Sequence, residues 1–395
     1  MNVWLTASVV GWIVIGSDFV AEAVVAAPQP RILVLGDRHA RIAWETLSVQ
    51  VGRLRWYKDG DTSARVVSDQ VSRRHRVTLD GLAPGAAYWY QVAEGKQWST
   101  PVRFQTFARE FRQPLRFAVI GDSGSGSSHQ WAVARRLDAW RPDFVLHVGD
   151  VIYEDGAEGA YGSRYVAPYA RMIARVPVYP VLGNHDCRTG RGAPLLRFFG
   201  LDGQAMGPSR WYERRMGGVQ LLACDSNVAL HAGSAQYQWL ESRLAVAGAR
   251  WRIVYFHHPL YSGGMHGGSD SLRRHLQPLF DRYRVQLVFQ GHDHHYERSQ
   301  PLRAGTPHPA GTTYIVTGGA GAWLRPVKPM QFTARALSAY HFVGATLEGE
   351  RLSGSVFDED GLMMDTFSVS RDGGADVGWV GFKGNDGVLG AYAGM

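Results

Sequence analysis

Two hydrophobic rhythms divide the chain. Between residues 30 and 107 apolar and polar positions alternate over short stretches, at 41–44, 52–57, 76–79 and 88–92, and the stretches stop at turn residues such as Lys58-Asp59-Gly60 and Gly81-Leu82-Ala83-Pro84-Gly85. Period-two alternation broken by glycine, proline and aspartate predicts antiparallel strands joined by hairpins. From Pro114 the rhythm changes to solid apolar runs, at 116–120, 144–148, 178–182, 219–224, 252–256 and 285–289. In the first interval, Ser127 or Ser128 can cap a helix whose apolar face is Val133, Leu137 and Trp140, and Pro142 stops it. Helices also fit 234–247 and 269–283. Strand, helix and strand in succession make a βαβ unit, so the region from Pro114 reads as α/β. Three alternating strands, 341–347, 352–357 and 362–368, then complete a second sheet by hairpins.

The two ends of the chain follow neither rhythm. Residues 3–15 form an apolar run too short to span a bilayer but of the length of a secretory h-region, and Ala21-Glu22-Ala23 offers a small-x-small cleavage site; no Lys or Arg precedes Arg31. Residues 1–27 therefore read as an export signal of atypical charge, and the protein as secreted or periplasmic. From Arg371 the chain is glycine-rich with isolated Trp379, Phe382 and Tyr392, a pattern that predicts a poorly ordered tail over 371–395. The expected division is an apolar segment over 1–27, a small β-sandwich over 28–109, a catalytic α/β domain over 110–370, and the tail.

Composition refines this picture only at the margins. The 395 residues are 45% hydrophobic and 19% charged, an ordinary globular balance that excludes disordered, fibrous and polytopic chains. The formal net charge of +7 comes almost wholly from arginines scattered along the chain. With no basic block and no interleaved aromatics, it implies a general attraction for anions and no nucleic-acid partner. No integral membrane span is expected. Cys187 and Cys224 cannot form a disulfide framework; one bridge between them is open in an oxidising compartment, and two unpaired thiols is the preferred reading.

The chemistry lies just after the apolar runs. Residue 120 is followed by Gly121-Asp122-Ser123-Gly124, residue 148 by Gly149-Asp150-Val151-Ile152-Tyr153, residue 182 by Gly183-Asn184-His185-Asp186, residue 256 by His257-His258-Pro259, and residue 289 by Gln290-Gly291-His292-Asp293-His294. Ligands gather beyond the carboxyl ends of strands in open α/β sheets, so five such clusters are candidates for one site. Aspartate, asparagine, histidine and tyrosine give a mixed oxygen and nitrogen donor set suited to Fe, Zn or Mn. His292 and His294 on one turn can address two ions at the spacing of two-metal hydrolytic centres.

Taken in order, GDSG, GDVIY, GNHD, Val254-Tyr255-Phe256-His257 and GHDH resemble the signature of the calcineurin-like metallophosphoesterases. The tyrosine of GDVIY and the GHDHHYER ending are similar to purple acid phosphatases. The match runs over about 114–366. The Leu82 to Pro84 bend before Tyr88-Trp89-Tyr90 resembles the tyrosine-corner region of fibronectin type III sandwiches, and such a domain precedes catalysis in larger members of the family. The resemblance implies a two-sheet sandwich flanked by helices (αββα), preceded by a small all-β fibronectin III-like sandwich. It assigns Asp122, Asp150, Tyr153 and His294 to an Fe(III) site, and Asp150, Asn184, His257 and His292 to a divalent ion (Fe, Zn or Mn), with Asp150 as the bridge. It implies an acid phosphatase that cleaves small phosphate monoesters by attack of a metal-bound hydroxide, with a phosphodiesterase as the alternative. His185 would protonate the leaving oxygen, Asp186 would orient His185, and His266, in the loop Ser262-Gly263-Gly264-Met265-His266-Gly267-Gly268, would contact phosphate.

Other polar residues receive plainer readings. His258 adjoins a ligand but successive residues point apart, and His295, Tyr296, Glu297 and Arg298 read as packing or supporting groups. His129, His147, His231, His275, His308 and His341 lie outside the clusters and read as surface or core histidines. Gly36-Asp37 is a turn, residues 124–128 are a linker and helix cap, and Thr317-Gly318-Gly319-Ala320-Gly321 is a structural turn. A binding protein that uses this fold as an inert scaffold would have a degenerate site, whereas every position of the pattern holds a competent residue.

Overall fold

The apolar runs become strands of two sheets packed face to face in a computed structural model that describes residues 28–110, 114–202 and 210–371. One sheet has six strands in the order Met363–Ser370, Arg351–Asp358, His341–Glu348, Leu115–Ile120, Phe144–His147 and Val178–Pro180. The last three are mutually parallel. The other has seven, in the order Tyr212–Met216, Val219–Ala223, Trp251–Tyr255, Leu287–Gln290, Thr313–Thr317, Tyr296–Ser299 and Thr333–Leu337. Its four members from Val219–Ala223 to Thr313–Thr317 are parallel. The five runs that lead into polar clusters are thus shared between the sheets, three in one and two in the other. The C-terminal hairpin strands join the sheet begun by Leu115–Ile120, through Val343↔Val119 and its neighbours, where the sequence pattern suggests a separate sheet.

Parallel strands buried on both faces need cover, and helices supply it. Ser128–Trp140 starts where Ser127 accepts from the Gln130 N–H and stops at the left-handed Arg141. Ala235–Leu244 and Asp270–Tyr283 start on Ser234 and Ser269 in the same way. Leu240, Leu244, Leu276 and Phe280 from these two pack on Leu222, Val254 and Val288 of the seven-stranded sheet. Between the sheets, Phe117 meets Phe289 edge to face at 6.3 Å and stacks on Phe144 at 5.2 Å. The result is the helix–sheet–sheet–helix sandwich expected.

Residues 31–105 form the all-β region. The strands expected at 41–44 and 52–57 are parts of one strand, Ala40–Lys58. It pairs along both halves with Arg65–Leu79 and slips register between Glu45 and Gln50; there Thr46 is buried against His75, while Leu47, Ser48 and Val49 stay extended but exposed, so no alternation continues through the slip. The Tyr88 hydroxyl accepts from the Ala83 N–H at 2.8 Å, the bond of a tyrosine corner. This region is fixed to the larger sheets by Phe107 against Phe144 (6.2 Å), by Tyr90 Oη donating to Ala174 O (2.7 Å), and by the Arg31 guanidinium 4.0 Å over the Phe198 ring. The expected export signal over 1–27 and the glycine-rich segment beyond Arg371 lie outside the described residues. Among those residues no helix is long and apolar enough to cross a membrane, and Cys187 and Cys224 are both free.

Candidate metal centre

Each polar cluster begins where a buried strand runs out, and the backbone turns sharply there. Asp122, Asp150 and His292 all take left-handed conformations, with φ of 57°, 52° and 71°. Such a conformation costs a residue bearing a Cβ on the order of 1 kcal/mol, somewhat less for aspartate. Glycines beside them allow the loops to close: a Cβ on Gly291 would stand 2.5 Å from Asp122 Oδ2, and one on Gly183 would collide with Asp150 Oδ1. The loops are also tied across the gap between the sheets. The His292 N–H donates to both Asp122 oxygens at 3.2 and 3.0 Å, and the Ala322 N–H to Asp122 O at 2.9 Å.

The two sheets contribute different atoms. The six-stranded sheet delivers oxygen: Asp122, Asp150, Tyr153 and Asn184. The seven-stranded sheet delivers nitrogen: His257, His292 and His294. Asp122, Asp150 and His257 bring ligand atoms to within 4.8 Å of one another, and all three are buried. Tyr153 Oη lies 3.0 Å from Asp122 Oδ1, 3.1 Å from Asp150 Oδ2 and 2.9 Å from His294 Nε2. Asn184 Oδ1 lies 3.0 Å from His257 Nε2 and 2.9 Å from His292 Nδ1, and His257 Nε2 is 3.3 Å from Asp150 Oδ2. The two groups of atoms meet at Asp150.

These contacts exceed the protons available to make them hydrogen bonds. A single phenolic proton can serve one of the three acceptors around Tyr153. The far sides of two imidazoles are already committed: the Val148 carbonyl is 2.9 Å from His257 Nδ1, and the Trp323 carbonyl is 2.7 Å from His294 Nδ1. Carbonyl acceptors there hold a proton on Nδ1 and turn Nε2 toward the carboxylates, which is how metal-binding histidines are prepared. Two buried carboxylates, a buried phenol, an amide oxygen and three imidazole nitrogens therefore fit a pair of cations of the Fe, Zn or Mn type.

The protein alone holds this cluster in opposed protonation states. Burial pushes the Asp150 carboxyl up, but His257 and His185 outweigh it and hold the group well below the usual carboxylate range. Burial opposes charge on His257 too, yet Asp150 raises it to about 10. His292 is lowered to about 2, by burial and then by His257, His258 and His266. Burial, followed by Asp122 and Asp150, lifts the Tyr153 phenol well above its ordinary value; a phenolate here requires a strongly charged cation against the oxygen.

A cavity of about 290 Å³ opens over the cluster, lined by Asp150, Asn184, His185, His266, His292 and His294 on its inner side. His185 sits at its edge, Nε2 4.0 Å from Asp150 Oδ2 and Nδ1 2.5 Å from the Glu154 carbonyl. Exposed His266 packs on His292 with ring centroids 4.4 Å apart and the rings tilted by 32°, its backbone N–H bonded to Asp293 Oδ1 at 3.0 Å. Asp186, expected to orient His185, does something else. Its carboxylate accepts from the N–H groups of Val151 (3.0 and 3.1 Å), Ile152 (3.2 Å) and Gly183 (3.0 Å), so it pins the loop of Asp150 to the loop of Asn184. The carboxylate points back toward these donors, and the group bonded to His185 Nδ1 is the Glu154 carbonyl. Burial, then the Asp150 charge, raises Asp186 to about 7.

The remaining histidines take supporting places. His258 Nδ1 is 2.8 Å from Ser226 Oγ, and buried His295 is 3.3 Å from Glu297. His147 and His341 lie in the core, against Ser123 Oγ (2.9 Å) and Thr317 Oγ1 (3.0 Å). The turn after Thr313–Thr317 is indeed structural, since the Ala320 N–H bonds to Gly121 O at 3.1 Å. Motif spacing does not single out Trp323 and Arg325, just beyond this turn, which form the outer wall of the cavity with Glu154 and Arg188. The available signal is positional, because these residues too lie past the carboxyl end of a strand.

The chain is similar to known phosphoesterases in sequence and fold. A family profile described as calcineurin-like phosphoesterase matches residues 115–296. Acid phosphatase type 7 of Mus musculus is 29% identical over 361 residues, covering 78% of this chain and 81% of that protein. Purple acid phosphatase 21 of Arabidopsis thaliana is 26% identical over 325 residues, covering 74% and 71%. Among solved structures, a purple acid phosphatase from yellow lupin (Lupinus luteus) seeds superposes with a TM-score of 0.76 at 20% identity, covering 87% of this chain and 74% of that one, which establishes likeness of fold.

Proposed function

We propose, from the premise that residues 115–296 match the calcineurin-like phosphoesterase profile, that this metal-dependent phosphoester hydrolase is an acid phosphatase of the purple type, acting on small phosphate monoesters. The observation that carries this reading is Tyr153 Oη at 3.0, 3.1 and 2.9 Å from Asp122, Asp150 and His294. Many two-metal sites do without a phenol; this one is built around it. Asp122, Asp150, Tyr153 and His294 would hold Fe(III), and Asp150, Asn184, His257 and His292 a divalent Fe, Zn or Mn. When bound, such a pair lowers the pKa of water and offsets negative charge on phosphoryl oxygens.

The chain's own groups do the rest. His185, with Nδ1 anchored on the Glu154 carbonyl, turns Nε2 to the cavity and as imidazolium gives that proton to the leaving oxygen. His266 faces the same cavity from the opposite loop and binds phosphoryl oxygen. Asp186 keeps the Asp150 and Asn184 loops in register so that the two donor groups stay in reach of each other. Burial of Asp122, Asp150 and His257 excludes water from all but the cavity side.

The test is metal analysis and a visible spectrum of purified wild type and Tyr153→Phe, beside turnover of a nitrophenyl monoester and its bis-ester. We expect iron, a phenolate-to-iron absorption band that Tyr153→Phe loses, and preference for the monoester. A colourless, iron-free, active wild type would sink the iron assignment, and preference for the bis-ester would make the protein a phosphodiesterase.

A further inference from the structure

Trp323 and Arg325 stand at the mouth of the cavity with properties that packing does not require. Trp323 is 45% exposed, although its carbonyl is bound to His294 and its ring lies 5.6 Å from the Tyr153 ring and 5.5 Å from the His294 ring. A large apolar ring is thereby fixed in place and left open to the cavity. Arg325 is half-buried. Its N–H donates to His294 O at 3.0 Å, its Nη1 reaches only the Met265 sulfur at 3.1 Å, and its Nε is buried with no hydrogen-bond partner among the described residues. A thioether is a weak acceptor, and a half-buried guanidinium without a carboxylate or carbonyl is poorly satisfied. Arg188, the other arginine on this cavity, is by contrast bonded to the Glu154 carbonyl at 3.1 Å.

The position of this pair assigns it to the leaving group. His185 and Trp323 both pack on the Tyr153 ring, at 4.5 and 5.6 Å, and both line the cavity. An ester oxygen that takes its proton from His185 therefore has its substituent within reach of the indole. We propose that Trp323 and Arg325 form a leaving-group subsite, which selects phosphate esters of a planar ring bearing a negative charge. The ring lies on Trp323 and the charge pairs with Arg325. A cavity of about 290 Å³ has room for one such ring beyond the phosphoryl group.

The proposal rests on the phosphoesterase reading, so its test measures binding as well as turnover. Calorimetry on the metal-reconstituted protein compares two matched pairs of non-hydrolysable phosphonates. Carboxyphenylphosphonate should bind about tenfold more tightly than its neutral carbamoyl isostere, the size of one charge-assisted hydrogen bond, and Arg325→Gln should bring the two within about twofold. Phenylphosphonate should bind roughly three- to tenfold more tightly than cyclohexylphosphonate, and Trp323→Leu should remove that difference. Ratios within a pair are insensitive to general damage by a substitution. No preference in wild type, preferences that survive in the variants, or no phosphonate binding at all would overturn the subsite. If the preferences hold but the corresponding aryl phosphates are not hydrolysed, the phosphatase reading falls and the subsite stands; hydrolysis without preference gives the reverse.

Discussion

The seam between the two large sheets and the seam that joins them to the N-terminal β-region are both lined with aromatic rings, but only the first buries carboxylates. At the N-terminal seam Phe107 meets Phe144, Tyr90 bonds one carbonyl, and Arg31 lies over Phe198. None of these contacts brings a charged oxygen into the seam. At the sheet seam Asp122 and Asp150 are buried together with three imidazoles facing them, an arrangement that hydrophobic burial opposes and that metal coordination requires. One seam holds the molecule together. The other is organised for chemistry, and its stability depends on backbone N–H groups and on what it binds.

Substitutions separate the two. Asp150→Asn removes the atom shared by both donor groups, and turnover of a nitrophenyl ester should fall by roughly a thousandfold or more, above the 10- to 100-fold typical of groups that only support a ligand; bound metal measured on the same sample should fall with it. Asp186→Ala strands three buried N–H donors and should destabilise by about 2 to 4 kcal/mol, read as a lower melting temperature, whereas His185→Ala should lower kcat with little change in melting. A melting temperature unmoved by Asp186→Ala would return that residue to the orienting role.

The sheet seam also has its own pH response. His341 is buried against Thr317 Oγ1 and the Ala339 carbonyl and is lowered by burial to about 4. Because the unfolded chain binds this proton more readily, the contribution is complete above about pH 6.5 and is lost as pH falls toward 4, for a total of about 3 kcal/mol. His341→Gln should flatten that part of the stability profile in melts at pH 7 and pH 4.5; an unchanged slope would exclude His341 as its source. The smallest effect belongs to the other seam. Tyr90→Phe should cost about 1 kcal/mol of stability and leave kcat unaltered, and a change in kcat would show that the β-region reaches into catalysis.

Sequence pattern reveals the parts of this molecule where burial and chemistry meet abruptly. Asp122, Asp150 and His257 come directly after strands that are almost wholly buried, so a polar residue at that boundary stands out without coordinates. Asp186 misleads because adjacency to His185 suggests a dyad, while the direction of its carboxylate depends on N–H groups more than thirty residues away in the chain. Residues 45–51 look like a break because, apart from the buried Thr46, that part of the strand is exposed or nearly so on both faces and alternates no further. Trp323 and Arg325 carry no motif, and their meaning lies in what they fail to bond.

The left-handed turns at Asp122, Asp150 and His292 bear on durability. Glycine would relax each of these backbones, so the loops hold conformational energy that selection for endurance alone would release. A chain kept only for its shape would drift toward that relaxed form. Arg141 and Arg284 take the same conformation where helices end, but at Asp122, Asp150 and His292 the strained residue is itself a candidate ligand, so robustness there is subordinate to the donor set.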